Sequence, residues 1–199
     1  MIAAFMDSHA IYEGLRKAFL WGLRVRPISE ALELKADEKL LDAGCGFGVF
    51  VRHASHCDYT GIDIDDTRIQ WAKSKIGETP HRRFLTSGIT RTPFASKSFD
   101  TALGYGLLHH LTDNDAKTAV AELSRIVKNK IVFSEPVYSR YHWINNLLCK
   151  MDQGPFVRTQ EAYLVLCETA LKITKTRFFY SRNGLAKYLL ITATPKGAA

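Results

Sequence analysis

A doubly wound α/β fold, built on a mostly parallel seven-stranded sheet and closed by a C-terminal antiparallel hairpin, is what this sequence predicts. Three observations lead there. Short strand-like apolar runs alternate with helical patterns across residues 39–134, and strict alternation means right-handed crossovers and a parallel sheet with helices on both faces. The first run ends in an acid, and three glycines then follow at alternate positions, Asp42-Ala43-Gly44-Cys45-Gly46-Phe47-Gly48. A chain that bends so sharply from strand into helix, without Cβ atoms, leaves room for something to touch its backbone. After Pro136 the alternation stops, and two strand-like runs flank Asn183-Gly184, a turn-forming pair.

Each element has its own signal. Ile11, Leu15, Ala18, Phe19, Gly22 and Leu23 recur at helical spacing over residues 9–26, and Pro27 is expected to end that helix. Residues 29–34 predict a further short helix. Residues 39–43 read as strand, 49–54 as helix and 58–64 as strand. A helix over 66–76 follows, with Asp65 or Asp66 as its cap. Residues 82–86 and 99–104 are strands. Residues 113–127 form an amphipathic helix with Ala116, Val120, Leu123, Ile126 and Val127 on one face. Residues 130–134 make a short buried strand. Helices near 141–151 and over 160–171 precede the hairpin strands, 172–182 and 188–194.

Composition bounds the class. The chain has 199 residues, 46% hydrophobic and 24% charged, which suits one soluble globular domain. No apolar run approaches the roughly 18 residues of a membrane span. Met1 to Met6 is apolar, but Asp7 follows at once, which makes a poor signal peptide. Cys45, Cys57, Cys149 and Cys167 show no metal-ligand spacing, so reduced thiols, a cytoplasmic location and no metal are expected. The formal charge is +7. Beyond Glu168 there is no acid, while Lys172, Lys175, Arg177, Arg182, Lys187 and Lys196 are all basic. This tail reads first as strand edges guarded by charge. Attraction to an acidic substrate or to nucleic acid is the other reading.

In an open parallel sheet the ligand lies beyond the carboxyl ends of the strands, where strand order reverses. The turn from Asp42 to Gly48 is at such an end. Asp63 ends the next strand, 19 residues after Gly44, the spacing at which a carboxylate accepts both hydroxyls of a ribose. A dinucleotide and S-adenosylmethionine both satisfy this much. The dinucleotide fingerprint wants GxGxxG, whereas Val49 leaves GxGxG here. A pyrophosphate is also repelled by Asp42, whereas a sulfonium and an ammonium are attracted.

On these residues the chain resembles the class I S-adenosylmethionine-dependent methyltransferases, of the broad small-molecule type 11/12. Leu41-Asp42-Ala43-Gly44-Cys45-Gly46-Phe47-Gly48 is similar to that family's first motif, and Tyr59-Thr60-Gly61-Ile62-Asp63-Ile64-Asp65 to its second. Thr92-Pro93-Phe94 through Ser98-Phe99-Asp100 resembles the approach to the fourth strand. Leu107-Leu108-His109-His110-Leu111, followed by Glu122 to Lys128, resembles the next strand end and helix. The resemblance runs over residues 39–136 and implies a Rossmann-like fold with S-adenosyl-L-methionine as cofactor and S-adenosyl-L-homocysteine as product. It divides a single domain into N-terminal helices (1–36), a cofactor-binding core (37–136) and acceptor-site helices with the closing hairpin (137–199).

Carried across, Gly44, Gly46 and Gly48 pass close to the methionine portion, with Asp42 nearby and Cys45 in the same loop. Asp63 holds the ribose and Ile64 packs on adenine, with Gly88 and Ile89 beside it. Tyr105 and Gly106 lie near the sulfonium. Two departures stand out. Gly88 occupies a position where the family often carries an acid for the adenine amino group, a loss of about 1 kcal/mol. The family's Pro-Gly-Gly before the fifth strand is missing, since Asn129-Lys130 leads straight into Ile131.

Methyl transfer is an in-line displacement in which proximity supplies much of the catalysis. A base is needed only where the acceptor must lose a proton, and His109 and His110 are the candidates. The competing reading has one of them capping or packing at the strand end. Asp100 reads as structural, Cys45 as a small residue fitting a tight turn, and Tyr12 as core or as a cover for the cofactor. The segment from Met151 to Thr159 resembles an insertion that shapes the acceptor site in this fold. Arg158 there reads as a surface arginine, or as the partner of an acidic acceptor. The expected partner is therefore a small-molecule acceptor, acidic if Arg158 serves it, and no membrane. Nucleic acid is disfavoured, because neither a Pro-Pro-aromatic nor a Pro-Cys catalytic string is present. A non-catalytic S-adenosylmethionine-binding protein stays open, and Val49 makes a nicotinamide dehydrogenase the most distant alternative. The sequence sets no oligomeric state.

Overall fold

The computed structural model describes residues 24–151 and 154–197. Tyr12 and most of the helix expected over residues 9–26 lie outside the described residues. The described elements, in order, are α1 (Val25–Leu32), β1 (Lys39–Ala43), β2 (Asp58–Asp63), α2 (Asp66–Lys75), β3 (Arg82–Thr86), β4 (Phe99–Tyr105), α3 (Asp113–Ile126), β5 (Val127–Pro136), α4 (Trp143–Met151), α5 (Gln160–Glu168), β6 (Leu171–Tyr180) and β7 (Lys187–Pro195).

The seven strands form one sheet in the order β3-β2-β1-β4-β5-β7-β6. Strands β1 to β5 pair in parallel, and β7 pairs antiparallel with both β5 and β6. The expected doubly wound sheet with its closing hairpin is present. Strand order reverses between β1 and β4, so the loops after those two strands flank the crevice where such sheets bind ligands.

Local chemistry fixes the element ends. The Asp65 carboxylate accepts from the Thr67 and Arg68 amides and caps α2. The Thr112 hydroxyl caps α3 by accepting from the Asp115 amide, and Asp113 and Asp115 add negative charge to its first turn. One face of α3 (Ala116, Ala119, Val120, Leu123, Ile126) joins Tyr163 and Leu166 of α5 against Ile131, Phe133 and Ile191 of the sheet. On the opposite face, Ile28 and Leu32 of α1 and Ile69 and Ala72 of α2 pack on Leu40, Tyr59, Val132 and Leu190.

Three expectations need correction. Pro27 does not end a helix; it lies in the first turn of α1, where a backbone N–H has no intrahelical partner to lose. The helix expected over 49–54 is only a 3-10 turn, Val51–His53. Gly48 is still left-handed at φ 72°, and the chain must reach β2 by Asp58, so little more fits between them. Strand β5 is longer than expected because it begins at the residue that caps α3, Val127. The last connection turns at Gly184, φ 75°, as Asn183-Gly184 predicts, within a loop that runs from Ser181 to Ala186.

Candidate functional site

The glycine loop is left-handed at all three glycines, with φ of 73° at Gly44, 52° at Gly46 and 72° at Gly48. The three do different work. A Cβ on Gly48 would sit 2.7 Å from Ile76 Cδ1, and one on Gly44 3.0 Å from Leu107 Cδ1. Gly48 therefore lets the loop pack on α2, and Gly44 lets the loops after β1 and β4 touch. Gly46 faces open space, with no described heavy atom within 4 Å of the Cβ position. The approach to the backbone is at Gly46.

Beside it, the Asp63 carboxylate accepts from the Gly46 amide at 2.9 Å and the Asp65 amide at 3.0 Å. Each oxygen thus has one backbone donor. A carboxylate offers about four acceptor sites, so capacity remains for a pair of hydroxyls. The next residue, Ile64, is 81% exposed, an unusual position for an isoleucine. A Cβ built on Gly88 would meet only Ile64 Cδ1, at 3.8 Å. An exposed aliphatic side chain beside a residue without one offers an apolar surface that a flat group can cover. Ile89, by contrast, is buried in the core with α3.

Asp42 is buried, and the Tyr59 hydroxyl donates to it at 2.6 Å. Burial pushes its carboxyl up to about 7, with the Asp63 charge adding to the rise and the Tyr59 hydrogen bond opposing it. Cys45 points into the core, its Sγ 2.8 Å from where a Cβ on Gly61 would lie. Burial raises its thiol pKa far above the ordinary value, so it is an inert packing group. Tyr105 at the end of β4 packs on Phe50, ring centroids 5.5 Å apart, and Gly106 turns away from the strand at φ 59°.

The two histidines separate. His109 is buried and its Nδ1 lies 2.7 Å from Glu135 Oε2. A carboxylate only accepts, so Nδ1 carries the proton. His110 is exposed, its ring centroid 4.2 Å from that of His109. Sequence reasoning missed Glu135, which is fully buried at the end of β5. Its Oε1 accepts from the amides of Leu107 and Leu108, and its Oε2 from that of His109. One carboxylate thereby fixes the whole turn after β4. An acid at the end of the apolar run Ile131-Val132-Phe133-Ser134-Glu135 is the signal that could have exposed it.

Arg158 is neither a surface residue nor an open anion site. It is buried, and its guanidinium donates to Asp113 Oδ1 (3.0 and 2.7 Å) and to the carbonyls of Leu108, Phe156 and Leu111. Gly154 lies directly on the His109 ring; a Cβ there would be 1.8 Å from Cδ2. The Phe156 amide donates to the His109 carbonyl at 3.0 Å. The segment after α4 is thus stapled onto the histidine turn. No cluster able to hold a metal ion occurs among the described residues, and no described helix is long and apolar enough to cross a membrane.

Residues 41–133 match a family model described as a methyltransferase domain. The tRNA (carboxymethyluridine(34)-5-O)-methyltransferase of Arabidopsis thaliana is 33% identical over 96 residues, 48% of this chain and 22% of that protein. An Aspergillus nomiae O-methyltransferase is 31% identical over 112 residues, 52% of this chain and 48% of that protein. The chain therefore spans less than half the length of either relative. A solved S-adenosylmethionine-dependent methyltransferase from Methanosarcina mazei superposes with a TM-score of 0.69 at 18% identity, covering 85% of this chain and 97% of its own. That likeness identifies the fold.

Proposed function

We propose that this chain, whose residues 41–133 match the methyltransferase domain, transfers a methyl group from S-adenosylmethionine to a small-molecule acceptor. One observation carries the reading: the Asp63 carboxylate accepts from the amide of Gly46, whose backbone is open, with the exposed Ile64 following on the same strand end beside Gly88. These groups fit an adenosine, with Asp63 accepting from the ribose and Ile64 covering the base. Bound there, S-adenosylmethionine supplies a methyl group on a sulfonium for in-line transfer to the acceptor's nucleophile. Asp42 lies where a carboxylate attracts the cofactor's cationic end. The turn fixed by Glu135 holds the acceptor side rigid, so that catalysis comes chiefly from position. Where the acceptor must lose a proton, His110 is the proposed base, with His109 held behind it. Arg158 is fully engaged within the protein, so it supplies no specificity for an acidic acceptor.

The test is thermal stabilisation by S-adenosylhomocysteine. At about 100 times Kd the gain is near 2.7 kcal/mol, and Asp63→Ala should abolish most of it. A wild-type protein that melts identically with and without either S-adenosyl compound refutes the proposal. Methylation of a nucleic acid is the second reading, favoured by the Arabidopsis thaliana relative. Labelling of tRNA, rather than of metabolites, from methyl-labelled cofactor would select it.

A further inference from the structure

A cleft of about 540 Å³ lies between the start of α1 and the end of β6, lined among others by Arg24, Arg26, Glu30, Arg177, Phe178 and Arg182. Four arginines line it with one glutamate. Glu30 pairs with Arg26 at 2.8 Å and with Arg177 at 3.1 Å, and Arg177 also donates to the Pro27 carbonyl at 2.7 Å. Among the described residues, Arg24 and Arg182 have no carboxylate partner.

The helix makes this arrangement costlier. Among the described residues the N-terminus of α1 has no side-chain cap and no acid in its first turn, so the positive end of its dipole meets further positive charge. Cations at that end of a helix are destabilising. Among the described residues only Glu30 offsets this charge, and a site that breaks a local rule points to a compensating ligand. Here that ligand is an anion. A helix N-terminus beside several arginines suits a phosphoryl group, and the cleft's volume is that of a small-molecule site.

Its position relates it to the crevice. Strand β6 runs parallel to β5, so Arg177 to Arg182 emerge at the same carboxyl edge as the glycine loop. Arg177 pairs with Leu190, Leu190 with Ser134, and Ser134 with Tyr105. Three strand spacings therefore separate Arg177 from Tyr105, about 14 Å at the usual spacing. Phe179, Tyr188 and Tyr105 also belong to one apolar cluster on the same face of the sheet.

We propose that this cleft is a phosphate-binding site that holds the anionic end of an elongated methyl acceptor, three strand spacings or about 14 Å from the strand that ends at Tyr105. The assignment of the anion to the acceptor rests on the function proposed above; the anion site itself does not. The probe is inorganic pyrophosphate, titrated calorimetrically into the full chain at low salt. The variant is Arg24→Ser with Arg182→Ser, which leaves the Arg177–Glu30–Arg26 network intact. Saturable binding, weakened at least about tenfold in the double variant while S-adenosylhomocysteine affinity stays unchanged, is the expected result. Absent binding, or binding equal in both proteins, overturns the site.

The acceptor half is tested by labelling a metabolite extract from methyl-labelled cofactor, before and after phosphatase treatment. Loss of the labelled products after treatment supports it. Unchanged products, or label confined to RNA, overturn it. Should pyrophosphate bind through Arg24 and Arg182 while no S-adenosyl compound binds at all, the transferase reading falls and the anion site stands.

Discussion

Asp42 shows how one side chain ties folding to ligand binding. Its ordinary carboxyl value is 3.8, and burial lifts it to about 7 in the folded chain. Between those values the folded protein keeps a proton that the unfolded chain releases. The stability Asp42 contributes is therefore complete below about pH 4 and lost as pH rises through 7. Asp42→Asn, which cannot ionise, should melt higher than wild type at pH 8, by up to a few kcal/mol. That advantage should vanish at pH 4 in melts run across the range. A cation bound beside Asp42 favours the charged form, so wild-type affinity for the methyl donor should rise as pH increases through 7. Loss of that pH dependence in Asp42→Asn checks the link. Ile64 offers a second test, because its side chain is exposed. Ile64→Asp should leave the melting temperature nearly unchanged while weakening S-adenosylhomocysteine binding at least tenfold, by about 1.4 kcal/mol. Asp42, Asp63 and Ile64 could be named as candidates from the sequence because one short stretch, from β1 to just past the end of β2, carries all three. Glu135 was not, because its partners are 26 to 28 residues away and only the pairing of β4 with β5 aligns them.

Among the elements, the end of β5 and the segment after α4 bear most on the site. Glu135→Gln puts an amide NH₂ where only acceptors face four donors, including the His109 ring. A loss of about 3 kcal/mol in denaturant unfolding is expected. Gly154→Ala meets the His109 ring with no room to spare, so it should displace the segment and impair turnover without removing S-adenosylhomocysteine binding. Calorimetry and a methyl-transfer assay on the same preparation separate the two effects. Helices α2 and α3 and the five parallel strands follow from caps and periodicity that lie within each element. The helix expected after β1 failed because the same three glycines that open the site also hold the chain left-handed where a helix would start. Arg158 was misjudged for a related reason: nothing near it in sequence announces Asp113 or the carbonyls of Leu108 and Leu111.

Across the whole molecule, the sheet has two unlike borders. At one lies β3, five residues long; at the other lies β6, ten residues long and exposed at Lys172, Thr174, Lys175 and Thr176. The central strands β1, β4 and β5 are flanked by neighbours and covered on both faces. Their amides should therefore exchange with solvent slowest, and those of β6 should exchange early; hydrogen-exchange mass spectrometry checks the order. Lys172 and Lys175 guard the long border, as the basic tail suggested. Arg177 instead turns inward to Pro27, 150 residues away, a pairing no local pattern could announce. The insertion of β7 between β5 and β6 also dictates an order of events at the ribosome. The segment that becomes β6 is synthesised before the strand it must lean on, and β5 waits for that same strand. Until Lys187–Pro195 emerges, a nascent chain carries two unsatisfied ledges at once, and this is the interval in which chaperone binding should be strongest.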